Sequence, residues 1–215
     1  MRIACISDLH GNLPEIPACD VLLVGGDICP VTDHDIHAQA DWLDGPFRAW
    51  LESVPAEEIV GIAGNHDFVF ERAPGLLPAD LAWTYLQDHD ATLASGLKVW
   101  GSPWTPWFLD WAFNAPRDES EVFLADLYAK VPADVDVLLV HGPPRGYGDR
   151  VLGGAEVGST AELELLERLA PKACVYGHIH EGRGQWTLGP TQLVNAAAVT
   201  EAYELRDEPV VLIDL

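Results

Sequence analysis

Seven side chains able to bind a metal follow five short apolar runs in this sequence. They are two carboxylates, one amide and four imidazoles: Asp8, Asp27, Asn65, His10, His141, His178 and His180. This mixture of oxygen and nitrogen ligands suits Mn, Fe, Zn or a similar divalent ion and differs from an all-oxygen calcium site. Seven ligands exceed the need of one ion. The set therefore predicts two ions, about 3.5 to 4 Å apart, that share one carboxylate.

The apolar runs predict the strands of an α/β sandwich, because they alternate with longer stretches of mixed polarity. The predicted strands are 2–6, 21–24, 59–63, 92–94, 98–100, 136–140, 173–176, 192–195 and 210–213. The predicted helices are 35–53, 119–130 and 159–169. A capping box of Ser159 and Glu162 begins the last helix, and Gly96 marks a hairpin. The close spacing of the later strands favours some antiparallel pairing.

The ligands should converge in space, because the carboxyl ends of strands in an α/β sheet face one crevice. Asp8 and His10 are separated by one residue, and so are His178 and His180. In an extended segment, such a pair places both side chains on the same side. We therefore expect each pair to hold one metal centre, with the intervening residue turned into the core.

Length, charge and composition restrict the class of protein. The 215 residues predict one domain, 1–215. The net charge of -22 disfavours a polymeric nucleic-acid substrate, since most of the surface would repel a phosphate backbone. No apolar run reaches the roughly 18 residues of a membrane span, and the N-terminus lacks a signal-peptide pattern. We expect no membrane association, a cytoplasmic location and four reduced cysteines.

Five motifs carry a resemblance to a known family. They occur in the family's order and are Asp8-x-His10, Gly26-Asp27, Gly64-Asn65-His66-Asp67, His141-Gly142 and Gly177-His178-x-His180. These motifs resemble the signature blocks of the calcineurin-like metallophosphoesterases. More narrowly, 101–108, 141–144, 177–182 and 209–215 resemble the metallophosphoesterase-domain-containing (MPPED-type) phosphodiesterase branch. The resemblance implies a single metallophosphoesterase domain, an α/β four-layer αββα sandwich with two mixed β-sheets flanked by helices.

The resemblance also implies a division of the ligands between two metals. One metal would be held by Asp8, His10, Asp27 and His180, and the other by Asp27, Asn65, His141 and His178. A hydroxide shared by the two ions would attack phosphorus in line. Mn²⁺ is the expected metal, with Fe, Zn, Mg or Ni as alternatives. His66 would donate a hydrogen bond or proton to the phosphate or leaving group, and Asp67 would either orient His66 or serve the fold.

The implied activity is hydrolysis of small phosphodiesters, with cyclic nucleotides such as 2′,3′-cyclic AMP among the substrates. Two alternatives stay open at this point. One is a phosphomonoesterase that uses the same metals, and the other is a nucleotide-binding module with slow turnover. The intact ligand set and His66 favour an enzyme over the binding module. Nothing in the sequence indicates a protein partner.

Substrate contacts are predicted at Asn12, Asn65, His66 and Arg145. Asn12 follows a ligand block and could equally close an Asx turn. Arg145 is one of few positive charges in an acidic chain, so it could meet a substrate phosphate or form a surface ion pair.

Two further sets of residues have a simpler interpretation. The aromatic segment 104–113 favours packing of a long loop, with Trp104 or Trp107 at the edge of a pocket. His34, His37 and His89 lie in polar surroundings and are predicted to be surface histidines outside the site.

Overall fold

The first of two mixed sheets contains the apolar runs that precede the acidic and amide ligands. The computed structural model describes all residues, 1–215. The sheet consists of β1 (Arg2–Ile6), β2 (Cys19–Val24), β3 (Ala56–Gly61), β4 (Thr84–Tyr85) and β11 (Val211–Asp214). The first four strands pair in parallel in that order, and β11 pairs antiparallel with β1. The carboxyl ends of β1, β2 and β3 therefore share one edge.

The second sheet contains six strands. They are β5 (His89–Thr92), β6 (Lys98–Ser102), β7 (Val137–Val140), β8 (Ala173–Tyr176), β9 (Gly184–Leu188) and β10 (Thr191–Asn195). Their spatial order is β5-β6-β7-β8-β10-β9. The four inner strands run parallel, and the two edge strands pair antiparallel with their neighbours. The predicted antiparallel pairing is thus confined to the edges of this sheet.

Five α-helices cover the outer faces of the two sheets. They are α1 (Ile36–Trp42), α2 (Arg48–Ser53), α3 (Phe68–Arg72), α4 (Ser120–Tyr128) and α5 (Thr160–Leu169). The first three pack on the first sheet, and α4 and α5 pack on the second. The predicted four-layer αββα sandwich is confirmed. None of these helices combines the length and the apolarity needed to cross a bilayer.

The alternation of side chains along β1 shows how the layers are joined. Ile3 and Cys5 point into the core between the two sheets, whereas Ala4 and Ile6 point toward the helices. Both faces of such a strand are buried, which explains why the strands appear in the sequence as continuous apolar runs. The ligands follow where these runs end.

The helix predicted over 35–53 is interrupted. A π-helical turn, Leu43–Phe47, separates α1 from α2 and contains Gly45 and Pro46. Proline lacks a backbone N–H and its ring clashes with the preceding turn, so a regular α-helix does not continue through it. The prediction of one unbroken helix was wrong for this reason.

Two strands and one α-helix were missed, namely β4, β9 and α3. β4 has two residues and β9 alternates exposed and partly exposed side chains, so neither forms an apolar run. The hairpin at Gly96 is confirmed, since Leu93 N donates to Leu97 O at 2.9 Å and Gly96 has a φ of 85°. The first hairpin strand, β5, ends at Thr92 and lies earlier than the predicted 92–94.

Half of the predicted capping box at α5 is present. Ser159 Oγ accepts a hydrogen bond from Glu162 N at 3.1 Å. The Glu162 carboxyl does not return the bond, because its side chain is buried beside Cys174. All four cysteines are buried and form no disulfide.

Candidate metal centre

Two groups of three ligands lie beyond the carboxyl ends of the strands. The first group is Asp8, His10 and His180, and the second is Asp27, His141 and His178. Within each group the ligand atoms lie within 4.8 Å of one another. In the first group, His180 Nε2 is 3.2 Å from His10 Nε2 and 3.3 Å from Asp8 Oδ1. Donor atoms that face one another this closely fit a divalent cation between them.

Asp27 belongs to the second group and also lies close to the first. Its Oδ2 is 3.4 Å from His141 Nε2 and 3.7 Å from His10 Nε2. Asn65 Oδ1 is 2.8 Å from His141 Nε2 and so adds a further oxygen to the second group. The structure therefore brings all seven predicted ligands together, with Asp27 close to both groups.

Four ligands have a left-handed backbone conformation. The φ angles are 54° at Asp8, 46° at His10, 51° at Asp27 and 65° at His178. Such angles are strained for residues other than glycine, and they persist mainly at functional sites where surrounding contacts impose them. Here Asp8 N donates to Gly26 O at 2.9 Å, and His10 N donates to Asp27 O at 2.8 Å. The predicted extended conformation of 8–10 was wrong, although both side chains still reach one group.

His178 and His180 belong to different groups, as the family resemblance implied. The expectation from their spacing, that they hold one centre, was wrong. The left-handed conformation at His178 turns the chain, and His180 begins a 3₁₀ turn, His180–Gly182. His178 N donates to both carboxylate oxygens of Asp8 at 3.0 Å. This contact joins the motif after β8 to the motif after β1.

Backbone carbonyls orient two of the imidazoles. His141 Nδ1 lies 2.9 Å from Gly25 O, and His180 Nδ1 lies 3.0 Å from Thr200 O. A carbonyl accepts only from a protonated nitrogen, so Nε2 of each ring is left to face the ligand group. Neutral imidazoles held in this way are common metal ligands.

The surroundings keep the two carboxylates ionised. Burial opposes the charged form of Asp8, but the hydrogen bond and charge of His180 lower the pKa of Asp8 to about 2. Burial likewise opposes the ionisation of Asp27, and His141 nevertheless holds the pKa of Asp27 well below its usual range. Both groups therefore carry the charge that a cation needs.

The pKa values of three ligand histidines are shifted in opposite directions. Burial lowers the pKa of His10 to about 4 and the pKa of His178 to about 3. Burial also opposes protonation of His141, but the nearby Asp27 outweighs it and raises the pKa of His141 to about 9.

His66 lies beside the ligand groups and is held by neighbouring rings. Its backbone N donates to Asp27 Oδ1 at 2.7 Å. Its Nδ1 lies 3.4 Å from His34 Nε2, and its ring centroid lies 4.2 Å from that of Trp111. Its ring is also 5.0 Å from the ring of His10. His66 therefore has a defined side-chain position within reach of the first group.

Asp67 does not contact the His66 side chain. Its buried carboxylate accepts hydrogen bonds from three backbone N–H groups, those of Ile28, Cys29 and Gly64. These bonds join the loop after β2 to the loop after β3. Of the two roles considered for Asp67, the contacts support the one in the fold.

His34 occupies the place beside His66 that the sequence suggested for Asp67. The interpretation of His34 as a residue away from the site was wrong, whereas His37 and His89 are exposed as predicted. His34 is exposed too, but its ring lies 5.1 Å from Phe68 and 5.4 Å from His66. Its place in the loop after Asp27 was the one available signal.

A cavity of about 530 Å³ adjoins the ligand groups. Its floor includes Asp27, Asn65, His66, His178 and His180. Trp107, Phe108 and Trp111 form one wall, and Tyr203 lies opposite His10 with ring centroids 4.9 Å apart. No sequence signal marked Tyr203.

The aromatic segment therefore has two roles. Trp104 packs against the domain as predicted, since its Nε1 donates to Asp88 Oδ2 at 3.0 Å and its ring contacts Phe113. Trp107 and Phe108 instead line the cavity and are 38% and 57% exposed. The expectation of an aromatic residue at the pocket edge is met by Trp107 and not by Trp104.

Two residues predicted to contact substrate lie away from the cavity lining. Asn12 Nδ2 donates to Leu9 O at 2.9 Å and closes a local turn. Arg145 Nε lies 3.6 Å from Glu156 Oε2. In both cases the contacts support the structural alternative, a turn for Asn12 and a surface ion pair for Arg145.

Comparisons with known proteins show the family to which this chain belongs. Residues 1–182 match the family model described as calcineurin-like phosphoesterase. The chain belongs to this family. It is 33% identical to metallophosphoesterase domain-containing protein 1 of Homo sapiens and of Mus musculus, over 98% of the chain and 70% of each relative.

A solved structure supports the fold of this phosphoesterase. Phosphopantetheinyl hydrolase from Mycobacterium tuberculosis superposes with a TM-score of 0.67, covering 98% of this chain and 95% of the other at 14% identity. That identity supports the fold alone. Family membership makes the chain a metal-dependent hydrolase of phosphoester bonds, and the two ligand groups are its candidate sites for divalent metals.

Proposed function

We propose that this phosphoesterase hydrolyses small phosphodiesters at a centre of two divalent ions, with cyclic nucleotides such as 2′,3′-cyclic AMP among its substrates. The observation that carries the proposal is the meeting of two ligand groups at Asp27, on the floor of a cavity of about 530 Å³. Small-molecule pockets span roughly 300 to 1,000 Å³. The cavity therefore has room for organic groups around a phosphoryl group.

The proposed metal is Mn²⁺, because the ligands mix carboxylate, amide and imidazole donors. Asp8, His10 and His180 would hold one ion, Asn65, His141 and His178 the other, and Asp27 would serve both. Bound there, the ions would supply Lewis-acid activation of water and stabilisation of the charge that develops on the phosphoryl group.

His66 is the proposed proton donor to the leaving oxygen. It lines the cavity floor, and its contacts with His34 and Trp111 hold the ring beside the ligand groups. A positioned general acid contributes about 10² to 10⁴ in rate.

The proposed partner is a small molecule, and a polymeric nucleic acid is disfavoured. A net charge of -22 repels an extended phosphate backbone. The aromatic side chains Trp107, Phe108 and Trp111 offer faces on which a nucleobase or another flat group can stack.

The test compares a diester with a monoester. Metal-stripped protein is assayed with bis-p-nitrophenyl phosphate and p-nitrophenyl phosphate, with and without added Mn²⁺, and His66→Ala is the control. We expect metal-dependent turnover that favours the diester, followed by cleavage of 2′,3′-cyclic AMP. Preference for the monoester would indicate a phosphatase, and no turnover despite bound metal would indicate a nucleotide-binding module.

A further inference from the structure

The outer walls of the cavity combine apolar side chains with two glutamates. Trp107, Phe108 and Leu152 line it and are 38%, 57% and 77% exposed. Glu181 and Glu201 stand among them, and no lysine or arginine lines the cavity. Pockets that bind substrates with several phosphates usually present arginine or lysine to them. Beyond the metal ligands, this cavity offers negative charge and apolar surface.

The cavity lining does not include Arg117, Arg145 or Arg150. Arg145 and Arg150 both pair with Glu156, at 3.6 Å and 3.2 Å. The guanidinium of Arg117 lies 4.4 Å from the ring centroid of Trp107, but Arg117 is not part of the cavity lining. A second phosphate on a substrate would therefore meet no lysine or arginine among the residues that line the cavity.

The two glutamates have different local contacts. Glu181 Oε1 accepts a hydrogen bond from Leu152 N at 2.8 Å, which ties it to the opposite wall. Glu201 lies in a turn closed by the bond from Thr200 N to Glu204 O at 2.9 Å. Neither glutamate forms an ion pair with a lysine, an arginine or a histidine. Both carboxylates thus line the cavity without a cationic partner.

We infer that the cavity selects phosphodiesters with a single negative charge and a neutral or cationic, apolar or aromatic substituent, and that Glu181 and Glu201 exclude substrates with a further phosphate. The inference rests on the proposed phosphodiesterase function. The charge of the reacting diester lies at the ligand groups, where cations would balance it. A second phosphate would lie near the glutamates, and like charges placed together in a cleft are strongly unfavourable.

Two matched substrates test this selection. One is the p-nitrophenyl ester of thymidine 5′-phosphate, and the other is the same ester with an added 3′-phosphate. Both release p-nitrophenolate from the same diester, so they differ only in the 3′-phosphate, which adds charge and bulk away from the reacting phosphorus. The Mn²⁺-loaded protein is assayed with both at low ionic strength. We expect kcat/KM to be about tenfold higher without the 3′-phosphate, as expected for a few unit charges at moderate distance in a partly screened cleft.

Variants assign the selection to the glutamates. In the double variant Glu181→Gln with Glu201→Gln, the ratio of the two kcat/KM values should fall to within about twofold of one. Glutamine keeps an acceptor for Leu152 N. The control is Glu164→Gln with Glu167→Gln, which removes two charges from exposed positions on α5 and should leave the ratio unchanged. Added salt of about 0.5 M should reduce the wild-type ratio as well, because screening weakens exposed charges.

The Kd values of both esters for Mn²⁺-loaded His66→Ala separate the two proposals, since they do not depend on turnover. If wild-type protein cleaves neither ester but binds the ester without the 3′-phosphate at least about tenfold more tightly than the other, the phosphodiesterase function fails and the charge selection stands. The charge selection would be overturned if the two esters had equal kcat/KM values with wild-type protein and equal Kd values with His66→Ala. An unchanged ratio in the glutamate variant would overturn the role of Glu181 and Glu201.

Discussion

Buried carboxyl groups in two regions of this phosphoesterase have pKa values shifted in opposite directions. At the strand ends, Asp8 and Asp27 are buried yet ionised, because imidazoles and backbone N–H groups surround them. Beneath α5, Glu162 is also buried, 1% exposed, but its neighbours are the Cys174 thiol and the apolar core of the second sheet. The three residues share burial and differ in the charges around them.

The pKa values follow those surroundings. Burial raises the pKa of Glu162 well above its usual range, and the charge of Glu121 adds to the effect. No lysine, arginine or histidine forms an ion pair with Glu162. Burial also acts to raise the pKa of Asp8, but the hydrogen bond and charge of His180 outweigh this effect and lower it. Burial alone therefore makes a carboxyl neutral, and a metal site needs convergent positive partners to keep it charged.

The largest test of this contrast removes the shared carboxylate. Asp27→Ala should lose both metal ions and reduce turnover by at least about 10³-fold, because one carboxylate serves two centres. Metal content by mass spectrometry and hydrolysis of bis-p-nitrophenyl phosphate measure the two effects. Glu167→Ala, on the exposed face of α5, is the control. Retention of two ions by Asp27→Ala would refute the shared position of Asp27.

His66→Ala should separate metal binding from chemistry. We expect wild-type metal content and a fall in kcat of about 10² to 10⁴, the range for loss of a general acid. Loss of the metals in this variant would instead mean that His66 helps to hold them. Parallel measurement of metal content and kcat distinguishes the two results.

The stability of Glu162→Gln relative to wild type should increase as the pH rises. A carboxyl whose pKa is raised by folding contributes stability that is complete below its unfolded pKa and is lost as the pH rises through its folded pKa. The variant lacks this titration, so its stability relative to wild type should increase between pH 5 and pH 8, by about 1 to 3 kcal/mol for an uncompensated buried group.

Urea unfolding of the metal-free proteins at both pH values measures this difference. Removing the metals from both proteins prevents metal binding from contributing to the comparison. The same relative stability at pH 5 and pH 8 would show that Glu162 ionises in the folded protein without cost, contrary to its surroundings.

His34→Ala should give the smallest effect, a fall of about tenfold in kcat with unchanged KM and metal content. His34 contacts His66 Nδ1 and would act by positioning that ring, so loss of orientation should affect the proton transfer alone. His37→Ala is a matched control, an exposed histidine three residues further along. His34→Gln should recover part of kcat, since its amide can replace the contact. Equal kcat in His34→Ala and wild type would remove the positioning role.

Local patterns were sufficient for much of the architecture. The strands β1 and β8 were predicted with their observed bounds, because strands buried on both faces need apolar side chains at every position. The helix over 35–53 and the strands β4 and β9 were not predicted correctly. Proline interrupts the first, and the other two are too short or too exposed to form an apolar pattern.

The identities of the ligands and their place after apolar strands could be read from the chain, because strand patterns and ligand chemistry are local properties. The division of His178 and His180 between two groups was implied by the family resemblance but not by their spacing, since it depends on left-handed turns that the spacing does not reveal. The contact of His34 with His66 spans 32 positions along the chain. That contact, the aromatic wall and the two glutamates at its mouth come together only when distant loops meet at the strand ends, so the tertiary structure alone decided them.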